Sequence, residues 1–249
     1  MSDPTLEPQE EKLDRIRGYF RGELLTLRET LLRMASLAHK NLNMSLESLV
    51  ERNAKKAKQV IEADLEMDRL EVEIDEMVAN FMATQAPMAL ACRLMLSASK
   101  ISNDLERIAD QAVSIARRSL ILLDEPPLKP LLDIPRMGQD VLTMIRGATD
   151  AFVEIAPEKC AEIIRMDERV DEINRQLERE LTSFMVEDPK TITRALNLML
   201  VARFFERAAD HAKNIAELVY YLYTGTDIRH EAELSKTAEG FAIRWKDED

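Results

Sequence analysis

The sequence predicts an all-α protein built as two tandem three-helix bundles, six long helices related by an internal repeat. Three observations carry this reading. The composition is that of long helices, with 6 Gly and 9 Pro in 249 residues and abundant Leu, Ala, Glu and Arg, which lose little freedom on entering a helix. Apolar residues recur at steps of three and four, the period of one helix face. The pattern is also written twice, at an offset near 100 residues, the mark of a repeat.

In the first half, Leu24, Leu27, Leu31, Met34, Ala38 and Leu42 form one amphipathic stripe, and Val60, Met67, Ile74, Val78 and Phe81 a second. Pro87 suits the first turn of a third helix, which carries Ile101, Leu105, Ile108, Ala112 and Ile115. Pro126, Pro127 and Pro130 then interrupt the chain, since proline lacks a donor and clashes with the preceding helical turn. The second half repeats the order. Ile134, Met137, Val141, Ile145, Ala148 and Phe152 come first, then Ile163, Val170, Ile173, Leu177, Leu181 and Phe184. A last helix starts near Pro189 with Val201, Phe205, Ala208, Ala212 and Ile215. The expected boundaries are an N-terminal extension over 1–18, bundles over 19–123 and 133–223, a Pro-rich linker over 124–132 and a tail over 224–249. Ile101 to Asp110 aligns without gaps on Val201 to Asp210, an offset of 100, and the second helices align at 103. A single continuous six-helix domain is the rival arrangement.

At 46% hydrophobic residues the chain has material for a core. A net charge of −12 repels nucleic-acid phosphates and anionic lipid, and favours cations or basic protein surfaces as partners. Cys92 and Cys160 lack metal-ligand spacing and read as reduced core thiols. Met1 to Glu11 is polar and acidic, unlike a signal peptide. No apolar run approaches the ~18 residues of a membrane span, so a soluble, cytoplasmic protein is expected.

Four acidic pairs stand at i, i+4: Asp64/Asp68 and Glu106/Asp110 in the first half, Asp167/Asp171 and Glu206/Asp210 in the second. Four residues is just over one turn, so each pair points one way and its members repel by roughly 0.2–0.5 kcal/mol. The spacing is common in so acidic a chain, and Glu62/Glu66 and Glu168/Glu172 read as solvated faces. The four pairs differ in recurring at equivalent positions of both halves. Judged at about 100° per residue, Glu106 and Asp110 sit opposite the Ile101–Ile108–Ile115 seam. Asp64 and Asp68 lie on the shoulder of theirs, so all are expected to line outer grooves. Two readings follow, a hard cation held by oxygen ligands or salt bridges to residues such as Arg107 and Arg207. There is no Glu-x-x-His, Gly-rich phosphate loop, nucleophile elbow or His/Cys cluster. His39, His211 and His230 are scattered. An enzyme is not expected.

The segments Asn103 to Ala116 and Phe205 to Glu217 resemble the duplicated signature of the PhoU family. Tyr19, Phe20, Glu23 and Leu24 resemble its opening turn, and Gly225 to His230 its close. The resemblance implies two three-helix bundles and a non-catalytic negative regulator of the phosphate-starvation response. It implies an adaptor between the phosphate ABC transporter, through its ATPase subunit, and a PhoR-type sensor histidine kinase. Such a protein would be cytoplasmic, peripheral at the inner membrane face through its partners, and a homodimer. It further implies metal ions (iron, zinc, magnesium or manganese) on Glu106/Asp110 and Glu206/Asp210, with Asp64/Asp68 and Asp167/Asp171 alongside. Gln111 stands where the family commonly has His, which His211 keeps, and Ala109 and Ala209 replace a frequent Gly. The end of the chain has no recognised counterpart and reads as a disordered end or as a short docking peptide anchored by Trp245. A carboxylate-based metal-binding or storage protein is the alternative function.

Overall fold

The structure, a computed structural model, describes residues 21–85 and 89–228. The N-terminal extension, Tyr19, Phe20, Pro87, His230 and Trp245 lie outside the described residues. The helices are α1 (Arg21–Val50), α2 (Ala54–Glu62), α3 (Asp64–Gln85), α4 (Ala89–Leu122), α5 (Asp133–Glu154), α6 (Cys160–Glu187) and α7 (Ile192–Thr224). Short 3-10 turns precede α6 at Pro157–Lys159 and α7 at Pro189–Thr191. No strand occurs among the described residues.

The stripes read from the sequence become the core. Leu27, Met34, Leu42, Val60, Met67, Ile74, Leu105, Ile108, Val141, Leu177 and Phe205 are all buried; Val78 and Ile173 pack partly buried at its edge. One expected helix is divided. Ala63 separates α2 from α3, although its N–H still donates to Gln59 O at 3.1 Å. Val60 and Met67, on either side, stay in phase two turns apart and both stay buried. The break therefore costs no core contact, which explains why periodicity alone does not reveal it. Cys160 is buried but Cys92 only half-buried, and both are free thiols.

The two halves share one continuous apolar cluster. The most extensive packing in the molecule is between α4 and α7, and α1 also lies against α5. Cross-contacts show α4 and α7 to be antiparallel. His211 Nδ1 lies 2.8 Å from Asp104 Oδ1, Arg118 donates to Asn197 Oδ1 at 3.3 Å, and Arg93 lies beside Gly225. Gly225 ends α7 in the left-handed conformation, at φ 76, where its N–H donates to Tyr221 O at 2.8 Å. Any side chain there would strain the backbone and meet the Arg93 guanidinium.

The linker is tied down at several points. Arg52, itself left-handed at φ 53 between α1 and α2, donates to Leu123 O and Glu125 O at 2.8 Å each. Arg194 of α7 donates to Pro126 O at 3.3 Å, and Lys129 pairs with Glu180 of α6. The chain reversal between the halves is thus held by both of them.

Phe205 sits fully buried on α7, and a β-carbon at Gly138 of α5 would meet Leu46 of α1 at 2.9 Å and the Phe205 ring at 3.2 Å. Phe205→Ala is expected to cost about 3–5 kcal/mol, lowering Tm by roughly 10 °C. Because the core is continuous, residues 21–122 and 133–224 should lose hydrogen-exchange protection together. Loss confined to the second half would show that the halves unfold independently.

Candidate functional site

The first-half acids lie on two neighbouring helices. Asp64 opens α3 directly after the break at Ala63, and Asp68 follows one turn later. Glu106 and Asp110 lie one turn apart on α4. Their charges meet across the interface. Burial, then the charges of Asp68 and Asp110, push the Asp64 carboxyl above its ordinary value, with Arg117 opposing. Glu106 is pushed up to about 7 by burial and by Asp110; Arg107 opposes, and Glu71 and Asp68 add to the rise. The two pairs act as one cluster, with Glu71 as a fifth carboxylate that the sequence reading did not single out.

The second half builds its counterpart between α6 and α7. Burial, then Asp210, raise Glu206, with Arg203 opposing and Asp171 adding. Burial, then Asp167 and Asp171, raise Asp210, while Lys213 and His211 pull it down. Asp167 is raised chiefly by burial, against a hydrogen bond of 2.8 Å from Lys213 Nζ. Burial disfavours the Lys213 charge, but that hydrogen bond and the charges of Asp167, Glu217 and Asp210 outweigh it and hold its pKa above the usual value.

Burial is uneven across the eight acids: Asp68 and Asp210 are exposed, as expected of outer grooves, whereas Asp167 is buried and the rest are intermediate. Asp167 is only 5% exposed, and the Glu106 and Glu206 side chains are 15% and 12% exposed. The face of α4 opposite the Ile101–Ile108–Ile115 seam is partly covered by α3, as that of α7 is by α6. A helix with neighbours on several sides has no fully wet face. Asp110, at 43%, is the more open member of its pair.

The salt bridges also differ from expectation. Arg107 pairs within its own helix, 3.3 Å from both Glu106 and Asp110. In the second half the partner at 2.9 Å is Arg203 and not Arg207. These arginines are half exposed, so such pairs contribute ~0–1 kcal/mol; Arg107 Nε faces Glu106 Oε2 itself, whereas Arg203 faces Glu206 Oε1 and leaves Oε2 aside. Glu106 Oε2 and Glu206 Oε2 remain buried without a hydrogen-bond partner, as does Gln111 Oε1. His211 is turned to Asp104 across the repeat boundary, where Asn214 also donates to Asp104 at 3.3 Å. Glu66, expected to be solvated, makes an exposed pair with Arg33 at 3.2 Å.

The donor set is carboxylate oxygen, which suits hard cations, and Glu206 Oε2, with neither a hydrogen bond nor the Arg203 contact, is an acceptor that a cation would satisfy. As the side chains stand, no three His, Cys, Asp or Glu among the described residues converge closely enough to hold a metal ion. The Cys160 thiol is pushed up to about 12 by burial and by Glu158, which leaves it protonated and unreactive. No described helix is long and apolar enough to cross a membrane.

Comparison with known proteins assigns the two halves to one domain type. The PhoU domain matches residues 31–119 and again 134–219. The phosphate-specific transport system accessory protein PhoU homolog of Pseudomonas putida is 37% identical over 225 residues, 90% of this chain and 88% of that one. The phosphate-specific transport system accessory protein PhoU of Escherichia coli (strain K12) is 31% identical over 227 residues, 90% of this chain and 94% of that one. The crystal structure of PhoU from Pseudomonas aeruginosa superposes with a TM-score of 0.81 at 37% identity, covering 83% of this chain and 100% of that one.

Burial makes ionised Glu106 unfavourable in the fold. Its folded pKa of about 7 exceeds the ordinary 4.5, so between those values the native state binds the extra proton. The stability of the metal-free protein should fall as pH rises through this window, and the loss should be complete above pH 7. Glu106→Gln should raise Tm at pH 7.5 by about 2–4 °C, with the gain vanishing towards pH 4.5. A melting series in chelator at both pH values checks this; a lower Tm for the variant at pH 7.5 would contradict it.

Proposed function

The chain belongs to the PhoU family, and on that premise we propose that it regulates phosphate transport as a non-catalytic adaptor. In this reading it holds the phosphate-starvation response off when phosphate is plentiful, by contacting the ATPase subunit of a phosphate ABC transporter and a PhoR-type sensor histidine kinase. The observation that carries the reading is the PhoU domain occurring twice, once over each half of one helical core. Relatives that carry the phosphate transport accessory name match along nearly their whole length. The surface chemistry suits such a role. A net charge of −12 favours docking to basic protein faces.

The acidic clusters add a second part to the proposal. Asp64, Asp68, Glu106 and Asp110, with Asp167, Asp171, Glu206 and Asp210, would hold divalent or trivalent cations between α3 and α4 and between α6 and α7. Iron, zinc, magnesium and manganese are the candidates, and the all-oxygen donor set favours the harder ions among them. A bound cation would supply positive charge to the partly buried carboxylates of Glu106 and Glu206 and lock the third helix of each half onto the second. The rotamers of the more open aspartates, such as Asp110, would turn inward to complete the ligand set. Those interfaces border the central α4–α7 pair, so cation occupancy would stiffen the surface offered to a partner. A metal-storage role is less well supported, because a store needs many ready ligands and the described side chains do not converge as they stand.

Deletion of the gene is expected to derepress phosphate-starvation genes in phosphate-rich medium, and the intact chain should restore repression. Purified protein should show no turnover of phosphoesters or nucleotides above background; clear hydrolysis would sink the non-enzymatic reading.

Cation binding to the native state alone stabilises by roughly 2.7 kcal/mol when the free ion is at 100 times its dissociation constant. Added Mn²⁺ should therefore raise Tm and chelator should lower it. Glu106→Gln combined with Asp110→Asn should blunt that response. Elemental analysis without bound metal, joined to melting that ignores added cations, would leave the acidic clusters as electrostatic features only.

A further inference from the structure

Away from the acidic clusters, both halves and the linker border a cavity of about 240 Å³. Leu49 of α1, Leu122 of α4, Leu131 of the linker and Leu198 of α7 give it an apolar lining. Proline explains the gap. Pro126, Pro127 and Pro130 cannot continue α4, so the chain passes to α5 without helix, over a space that no helix fills.

The polar lining is one-sided. Arg52, Lys129 and Arg194 line the cavity and no Asp or Glu does, in a chain with 46 acids against 34 lysines and arginines. Lys129 is neutralised by Glu180 and Asp133. The two arginines are not. Among the described residues neither pairs with a carboxylate; Arg52 donates to Leu123 O and Glu125 O, and Arg194 to Pro126 O. Carbonyls supply no countercharge, and a guanidinium with five N–H donors keeps some to spare. Arg194 Nε is buried without a hydrogen-bond partner, an orphan donor that an anion would satisfy. Arg52 is held at φ 53, which is costly for a residue with a β-carbon, and its two carbonyl bonds fix it there.

We propose that this cavity binds a small amphipathic anion, a carboxylate or phosphomonoester head on an apolar body, with Arg52 and Arg194 holding the head. Guanidinium forks suit both heads, and the leucines and prolines suit the body. The volume lies below the roughly 300–1,000 Å³ of pockets for drug-sized ligands, which limits the occupant to about ten non-hydrogen atoms. Arg52 belongs to the first half and Arg194 to the second, so the occupant joins them beside the linker. The chain thus carries a site for small-molecule control that needs no metal and is separate from its acidic clusters.

Isothermal titration of the full-length, metal-stripped chain tests this with octanoate, hexyl phosphate, octanol, octylammonium and inorganic phosphate as probes. Octanoate or hexyl phosphate should bind, and the tighter of the two identifies the head. Octanol and octylammonium should bind at least about tenfold more weakly, since they forfeit the charged hydrogen bonds. Inorganic phosphate should also bind weakly, because it lacks the apolar body. Arg52→Gln and Arg194→Gln should each weaken the better anion by about tenfold.

The arginine variants also release linker carbonyls, so Ser119→Leu supplies a second check. Ser119 lines the cavity, and its hydroxyl donates within its own helix to Ile115 O at 3.0 Å. The added carbons narrow the space while both arginines stay, and the folded variant should lose binding. Four results would each overturn the proposal: no binding of either amphipathic anion, octanol or octylammonium matching the better anion, inorganic phosphate matching hexyl phosphate, or wild-type affinity in folded Ser119→Leu protein. Unchanged affinity in both arginine variants would do the same.

Discussion

Everything in this molecule follows from the close packing of α4 against α7. Each is the third helix of its half and each serves two sets of neighbours, its own bundle and the other central helix. Small residues fill much of the surface this requires: Ala98, Ser102, Ala109, Ala112 and Ala116 on α4, and Ala202, Ala208, Ala209, Ala212 and Ala216 on α7, are all buried. Alanine is the best helix former and loses no side-chain entropy on burial, so these long helices can be enclosed without crowding. Larger residues such as Phe205 then fix the spacing at a few points, as Gly138 shows by the absence of room at its α-carbon.

Enclosure on several sides has an electrostatic result. Carboxylates at the helix–helix seams are drawn out of water, and Glu106 and Glu206 are partly desolvated beside other acids. The cost of that placement falls on stability near neutral pH and leaves oxygens whose only good partner is a positive charge. The exposed arginines on the same helices approach the outer edge of each cluster. Lys213 reaches the buried Asp167 from the neighbouring helix.

Much of this was legible in the sequence. The helical stripes, the proline linker and the duplicated third helix follow from period and from self-similarity, both carried by many residues at once. The break at Ala63 was not, since one residue of slippage leaves Val60 and Met67 in phase. The burial of Asp167 and Glu106 was not, because a helical wheel drawn on one seam treats the opposite face as solvent, and α4 and α7 have two packed faces. Lys213 had a visible signal, a cation aligned on an apolar Val113, but its meaning needed the partner across the interface. The use of His211 needed the same, since Asp104 belongs to the other half and its aligned counterpart in the half of His211 is Phe204.

The antiparallel pairing of α4 with α7 places like helices of the two repeats across an approximate twofold axis. That is the arrangement by which identical half-length chains would close an isologous dimer. Joining the halves through a short, anchored linker turns such an encounter into an intramolecular one, at an effective concentration that dilution cannot lower. It also removes the demand that every residue work equally well on both sides of the axis. Once fused, a change such as aspartate for phenylalanine, or lysine for valine, need suit only one environment, and asymmetry becomes available to a structure whose architecture is symmetric.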